Sequence, residues 1–166
     1  KLVTRHTHVF GSDGAKGADG ALSVWDKNKM KEKKQETYSD AVNDVPECFP
    51  ALLRAQKIVK RMAKGGWDFQ TPENCKKKFE EEAQELAAAV ASGDKAQIAE
   101  EFGDVLMVLM HTAYLLGVDA EQALLDTAKK AAARYTEWEK LVLADGKDVH
   151  TLTDEERTAY YKRAKQ

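Results

Sequence analysis

Apolar residues recur along most of the chain at helical spacing, and the alternation typical of strands is nearly absent. With Ala, Leu, Glu, Lys and Gln abundant, the pattern predicts helices at about residues 21–36, 51–63, 71–91, 94–117, 119–144 and 153–165. Residues 11–20 are rich in glycine and predict a flexible loop. The sequence therefore predicts an all-α protein whose centre is four helices joined by short turns.

Signals for helix ends support these boundaries. Thr71 followed by Pro72 has the residue types preferred at an N-cap and at the first helical position. Similar capping pairs open the next three helices: Asp94 with Gln97, Asp119 with Gln122, and Thr153 with Glu156. Gly117 is placed to end the helix that begins at Asp94.

Composition narrows the class of protein. The 166 residues are enough for one domain, and the 43% that are apolar are enough for a core. A net charge of −2 removes general electrostatic attraction to nucleic acid, so we expect no nucleic-acid partner. Cys48 and Cys75 form no CxxC pair, which argues against a zinc finger and a disulfide scaffold.

The longest apolar run, residues 105–117, is far shorter than the ~20 residues that span a bilayer. No signal peptide opens the chain. We therefore expect a cytoplasmic protein with no membrane partner. Because the chain begins with Lys1 rather than methionine, we also expect it to be a fragment of something longer.

Two consecutive predicted helices carry pairs of carboxylates beside their apolar stripes. The pairs are Glu82 with Glu85 and Glu101 with Asp104. The stripes are Phe79, Ala83, Leu86 and Val90 on one helix, and Ile98, Phe102, Val105, Leu109 and Leu116 on the other. Antiparallel packing of the two helices would bring the four carboxylates together, where a hard divalent ion such as Mg²⁺ or Mn²⁺ would relieve their repulsion.

A plainer interpretation of the carboxylates is a solvated helix edge, which any amphipathic helix shows. Two pairs in register, with Gly103 inside the second pair, favour the metal site over that interpretation. A di-iron bundle would need Glu-x-x-His. The residues three before each histidine are Val3, Arg5, Val108 and Lys147, so the sequence argues against it.

Several segments, in order along the chain, resemble the MazG family of nucleoside triphosphate pyrophosphohydrolases. They are Val45-Pro46, residues 50–58, Gly66-Trp67-Asp68-Phe69, residues 81–86 and residues 100–104. The opening Arg5-His6-Thr7-His8-Val9-Phe10-Gly11 and the segment from Trp25 to Lys33 resemble the connector that follows the first domain in two-copy members. The resemblance implies a connector arm with one helix at 1–44, a catalytic domain at 45–144 and a helical tail at 145–166.

The family implies a dimeric four-helix bundle that uses Mg²⁺, for which Mn²⁺ would substitute, to convert an NTP into NMP and pyrophosphate. Its metal ligands fall on Glu82, Glu85, Glu101 and Asp104, the residues that the helical pattern selects, and these are the expected catalytic residues. Candidate phosphate ligands are Arg54, Lys57, Arg61, Lys130 and Arg134. Candidate base contacts are Trp67, Phe69 and His111. For the basic pairs the alternative is a solvated helix face, and for the aromatic residues and His111 it is a place in the core.

The chain also departs from the family pattern. It has His111-Thr112-Ala113-Tyr114 where members usually have Asn-Leu-Ala-Arg, and residues 128–135 keep one lysine and one arginine of the usual set. His6 and His8 lack a nearby third ligand, so we interpret them as structural. We expect a broadly specific NTP pyrophosphohydrolase. A pyrimidine dNTP specialist and a catalytically weak nucleotide-binding module for dimerisation or regulation are the alternatives.

Overall fold

The computed structural model describes residues 1–11, 14 and 16–165. Every regular element in these residues is an α-helix, which confirms the predicted all-α class. The elements are α1 (Leu2–Arg5), α2 (Thr7–Phe10), α3 (Gly17–Glu32), α4 (Tyr38–Asn43), α5 (Ala51–Lys64), α6 (Pro72–Ser92), α7 (Lys95–Leu115), α8 (Ala120–Ala144) and α9 (Asp154–Arg163). No single helix among the described residues is long and apolar enough to cross a membrane. One pair of consecutive helices, α7 and α8, has the required length and composition when both are counted, but the pair is bent at the break between them.

The chain divides into two compact units, Lys1–Gly117 and Val118–Gln166. The first unit holds α1 to α7 and the second holds α8 and α9. The predicted boundaries after residues 44 and 144 were drawn from a family resemblance, and they stay a prediction. The predicted four-helix bundle also stays a prediction, because α8 belongs to the second unit.

The predicted helix caps are confirmed by hydrogen bonds. The Thr71 hydroxyl accepts from the amide of Asn74 at 3.2 Å, and an Asp94 carboxylate oxygen accepts from Ala96 at 2.9 Å. Asp119 and Thr153 cap α8 and α9 in the same way. Each such cap contributes about 1 kcal/mol to the stability of the helix, which explains why the sequence predicts these helix starts.

Three short helices and the limits of α3 differ from the prediction. α1, α2 and α4 are not in the predicted set, although Thr37 and Asp40 form a capping box at the start of α4. α3 begins at Gly17 and ends at Glu32, four residues earlier at each end than expected. Lys34 has φ = 54°, a left-handed conformation that does not continue a helix. The predicted loop at 11–20 is therefore helical from residue 17, and its residues 12, 13 and 15 lie outside those described.

The helices near the N-terminus pack on α3 through polar and cationic contacts. The Arg5 guanidinium pairs with Glu32 at 2.7 Å and also lies 5.5 Å from the Trp25 ring, with Lys29 at 5.0 Å from the same ring. Asn28 donates to the Thr7 hydroxyl at 2.7 Å. This part of the first unit is thus tied to its neighbours by specific side-chain contacts.

α6 and α7 form a helical hairpin, and α5 packs against α7. Gly93 joins the hairpin with φ = 75°, a conformation in which residues other than glycine are strained. The buried residues of this region are Val59 on α5, Cys75, Glu82 and Ala89 on α6, and Val108, Met110 and His111 on α7. The buried face of α6 therefore includes a carboxylate.

The predicted apolar stripes are only partly the core of the hairpin, and this is a correction. Five of their members are exposed, from 39% to 59%: Phe79, Val90, Phe102, Leu109 and Leu116. The reason is that each helix is apolar over more of its circumference than its neighbours cover. α6 instead presents Cys75, Glu82 and Ala89, seven residues apart, to the interior of the unit.

The second unit has its own small core between α8 and α9. Val142, Leu152 and Tyr160 are buried there, and Trp138, Leu141 and Val149 pack against them. The Tyr160 hydroxyl donates to Asp145 at 2.8 Å.

An ion pair next to the cap of α9 predicts acid sensitivity of this unit. Lys147 donates to Glu156 at 2.7 Å, and this bond, with that from the Thr153 amide, lowers the pKa of Glu156 to about 2. A carboxylate whose pKa falls on folding stabilises the fold above its unfolded pKa, and this stabilisation disappears as pH drops from about 4.5 to about 2. We expect Glu156→Gln to lower the melting temperature at pH 6, and the difference from wild type to shrink below pH 4 in calorimetry.

The matched control is Glu155→Gln, which removes an acidic side chain from the first turn of the same helix. It removes the same charge without breaking the bond to Lys147. An equal loss of stability at both positions would contradict the role given to the Lys147–Glu156 pair.

Candidate metal and nucleotide site

The structure brings three of the four predicted metal ligands together. Glu82 and Glu85 lie one turn apart on α6, and Glu101 faces them from α7. Each offers a carboxylate oxygen, and these oxygens lie within 4.8 Å of one another. We call Glu82, Glu85 and Glu101 the acidic cluster. Glu82 is buried, Glu101 is half-buried and Glu85 is exposed, so the cluster opens to solvent on one side.

Asp104, the fourth predicted ligand, lies one turn beyond Glu101 on α7 and is exposed. It is not one of the three residues whose oxygens meet. Its role as a metal ligand therefore remains a prediction.

Charge repulsion within the acidic cluster is visible in the pKa of Glu85. Burial raises this pKa, and so do the hydrogen bond with Glu82 and the negative charges of Glu82 and Glu101. A divalent cation would relieve this repulsion. Three carboxylates supply only oxygen ligands, which are the donors that Mg²⁺ and Mn²⁺ prefer, so the residues present fit the metal that the family implies.

Lys78 is a component of this region that the sequence interpretation missed. Its ammonium donates to Glu82 at 2.7 Å and lies 3.0 Å from Glu81. The bonds to Glu82 and Glu81 raise the pKa of Lys78, so it carries its positive charge throughout the physiological range. The signal for it was present, because a lysine four residues before a glutamate on a helix faces it.

The segment Gly66-Trp67-Asp68-Phe69 contacts α7 through His111. His111 is 1% exposed, and its Nε2 lies 2.7 Å from Asp68 Oδ1. The His111 ring centroid lies 4.5 Å from that of Phe69 and 5.6 Å from that of Trp67. Trp67 itself is 56% exposed and lines an open cavity of about 310 Å³ with residues of α4 and the end of α5.

The three predicted base contacts therefore differ in how accessible their side chains are to a ligand. Trp67 offers an exposed aromatic face, and Phe69 is half-buried against it at 5.6 Å. His111 is enclosed, which favours the alternative of a histidine with a satisfied hydrogen bond inside the protein.

The predicted phosphate ligands on α5 have partners within the first unit. Arg61 donates to the carbonyl of Ala41 and lies 3.9 Å from Asp44, so it connects α5 to α4 and its neighbouring turn. The Lys57 ammonium lies 5.5 Å from the ring of Phe49. Arg54 is half-buried, and its Nε has no hydrogen-bond partner among the described residues.

The remaining two phosphate candidates lie on α8 in the second unit. Lys130 is exposed and Arg134 is half-buried. Their role as phosphate ligands stays a prediction.

Comparison with known proteins gives a family match for part of the chain. Residues 70–138 match the MazG nucleotide pyrophosphohydrolase domain. Over these residues the chain is similar to a MazG domain. Glu82, Glu85, Glu101 and Asp104 all lie inside the matched segment, which therefore includes the acidic cluster.

Two curated proteins extend the similarity beyond the matched segment. The nucleoside triphosphate pyrophosphohydrolase of Escherichia coli K12 is 38% identical over 148 residues, which cover 88% of this chain and 56% of that protein. The nucleoside triphosphate pyrophosphohydrolase/pyrophosphatase MazG of Thermotoga maritima is 32% identical over 165 residues, 99% of this chain and 62% of that protein. The chain thus spans little more than half the length of these relatives.

Proposed function

We propose that the chain hydrolyses nucleoside triphosphates to nucleoside monophosphates and pyrophosphate with the help of a divalent metal. The observation that carries this proposal is the acidic cluster, in which carboxylates of two helices converge inside the segment that matches the MazG domain. The two curated relatives carry pyrophosphohydrolase in their names, which supports the same reaction.

The reaction breaks the anhydride bond between the α- and β-phosphates, and one water molecule is consumed. Glu82, Glu85 and Glu101 would hold Mg²⁺, with Mn²⁺ as a substitute, and Asp104 would complete the set. When bound, the metal supplies the positive charge that neutralises a triphosphate and the Lewis acidity that activates water. Lys78, whose ammonium donates to Glu82, is a cation beside the acidic cluster that could contact a phosphate oxygen.

The nucleoside would be held by stacking on the exposed face of Trp67, with Phe69 behind it. Arg54, Lys57, Lys130 and Arg134 remain candidates for further phosphate contacts. Arg61 is a weaker candidate, because its guanidinium already bonds to the Ala41 carbonyl.

Base selectivity should be low if stacking is the main contact with the base. Strong rejection of a wrong base needs buried polar groups that only the right base satisfies, and stacking on an aromatic ring suits every base. We expect kcat/KM values within about two orders of magnitude across the common NTPs and dNTPs with Mg²⁺. The assay should score pyrophosphate separately from orthophosphate, and a preference above ~10⁴ for one base would contradict this prediction.

The same assay tests the alternative of a catalytically weak nucleotide-binding module. The position of Asp104 outside the acidic cluster and the departures at residues 128–135 are the observations that favour this alternative. Nucleotide binding without pyrophosphate release, in the presence of Mg²⁺ or Mn²⁺, would support it and overturn the proposed hydrolysis.

We further propose that the chain forms a homodimer. Five large apolar residues on α6 and α7 are exposed: Phe79, Val90, Phe102, Leu109 and Leu116. A second copy would cover such a surface, whose exposure is unusual for a monomer. The part of α7 that carries Met107, Met110 and Tyr114 does not serve this purpose, since Met110 is only 6% exposed.

Light scattering at micromolar concentration should give twice the 18.5 kDa mass of the chain. Replacing Phe102, which is 56% exposed, with Glu should reduce the mass toward that of one chain, because a charge in an apolar contact is costly. Glu100→Lys, an exposed change on the same helix, is the control. A monomer in the wild type would contradict the proposal.

A further inference from the structure

The contact between His111 and Asp68 joins two parts of the first unit that are far apart in sequence. His111 lies in the middle of α7, and Asp68 lies in the turn between α5 and α6. A carboxylate only accepts hydrogen bonds, so Nε2 of His111 carries the proton and donates to Asp68 Oδ1 at 2.7 Å. Burial raises the pKa of Asp68, but the hydrogen bonds from His111 and from the amides of Gln70 and Phe69, with the charge of His111, together outweigh it, so the net shift is downward. The bond therefore links a buried imidazole to an ionised carboxylate.

This bond fixes the centre of a segment whose ends are held by backbone contacts. On one side the Trp67 amide donates to the carbonyl of Met62 at 3.0 Å, and on the other the Phe69 carbonyl accepts from the Asn74 side chain at 2.8 Å. Gly66 and Gln70 both have positive φ, at 95° and 67°. Between these two residues, the Asp68–His111 hydrogen bond ties the segment to α7, together with the ring contacts of Trp67 and Phe69 with His111.

Trp67 is positioned by the same arrangement. Its ring lies 5.6 Å from that of His111, yet its side chain remains 56% exposed and lines the cavity of about 310 Å³ beside α4. His111 supports the indole from the protein interior and leaves its outer face open. With 1% of its own surface exposed, His111 has almost no area with which to touch a nucleotide.

We infer that His111 is a positioning residue: through Asp68 and direct ring contact it holds Trp67 in the orientation that stacks on a nucleobase. This inference rests on the proposed function, in which Trp67 contacts the base. A side chain ordered before binding loses less entropy when the ligand arrives, so the expected benefit is in nucleotide affinity rather than in the chemical step.

The test is to break the bond while keeping the ring, with His111→Phe, and to measure ATP hydrolysis with Mg²⁺. We expect KM to rise about tenfold and kcat to stay within about twofold, because the acidic cluster is unchanged. His111→Gln, whose amide can still donate to Asp68, should recover most of the loss. Asp68→Ala, which removes the acceptor of this bond, should resemble His111→Phe and guards against a folding defect peculiar to one variant.

A double-mutant cycle separates positioning from a general structural role. If His111 acts through Trp67, His111→Phe should have no further effect on KM in a Trp67→Ala background. Acrylamide quenching of Trp67, obtained by difference from a Trp67→Phe variant, should increase in His111→Phe. An undiminished KM effect in the Trp67→Ala background, or a fall in kcat with KM unchanged, would overturn the inference.

The quenching experiment also distinguishes the two proposals. If the wild type releases no pyrophosphate from any NTP, the proposed function fails, and the position of Trp67 is still judged by quenching without nucleotide. Unchanged quenching in both His111→Phe and Asp68→Ala would overturn the positioning role even if the enzyme is active.

Discussion

Replacing Glu101 with Gln should reduce pyrophosphate release by at least about a hundredfold. Loss of an outer-shell partner of a metal already costs 10–100-fold in affinity or activity, and Glu101 is one of the three carboxylates that meet. Glu82→Gln should have the same effect. The measurement is initial rate against Mg²⁺ concentration, with saturating metal included so that weaker binding is separated from lost turnover.

The matched control is Glu80→Gln on the same helix as Glu82. Glu80 is exposed and pairs with Lys76 at 3.7 Å, away from the acidic cluster. Its replacement removes one negative charge from α6 and should leave the rate within about twofold of wild type, since exposed ion pairs contribute little. Wild-type rates in a variant lacking both Glu82 and Glu101 would remove the acidic cluster from the mechanism.

Stability without metal should change in the opposite direction to activity. Burial raises the pKa of Glu85, and the hydrogen bond with Glu82 and the negative charges of Glu82 and Glu101 add to this rise, as expected for carboxylates that repel one another. Glu101→Gln removes one source of this repulsion. We therefore expect its melting temperature in EDTA to equal or exceed that of the wild type, and Mg²⁺ to raise the melting temperature of the wild type more than that of the variant.

The long helices were predictable because residues close in sequence specify where each of them begins. Thr71, Asp94, Asp119 and Thr153 each bond to an amide within three residues, so no distant contact is needed to specify these starts. The packed faces were harder to predict. The apolar arc of α7 is wider than the surface that α5 and α6 cover, and helical periodicity alone does not say which part of the arc is buried.

The candidate site shows the same division. Glu82, Glu85 and Glu101 were predictable because their spacing places them on facing sides of a hairpin whose turn is short. The bond between His111 and Asp68 joins residues 43 positions apart, and nothing in the local pattern of either one indicates the other. The fold of the chain between them brings these two side chains together.

Lys78→Gln should tighten Mg²⁺ binding by about tenfold, a change of 1.4 kcal/mol. The Lys78 ammonium donates to Glu82 at 2.7 Å and so occupies a carboxylate oxygen that the metal needs. Removing it leaves the acidic cluster more negative, so the electrostatic attraction between the carboxylates and a divalent ion becomes stronger. Isothermal titration with Mg²⁺ alone, without nucleotide, measures this directly.

Lys76→Gln is the control for this titration, because Lys76 carries the same charge on the same helix but pairs with exposed Glu80. It should leave the Mg²⁺ affinity nearly unchanged, since exposed charges are strongly screened by salt. Weaker binding in Lys78→Gln would mean that the lysine holds Glu82 in the rotamer that the metal requires, and would contradict competition between the lysine and Mg²⁺ for Glu82.

If Lys78 also contacts the triphosphate, its removal should raise the KM for Mg²⁺–ATP while Mg²⁺ itself binds more tightly. Opposite shifts in these two constants would show that one ammonium pairs with the carboxylate before the metal binds and with phosphate afterwards.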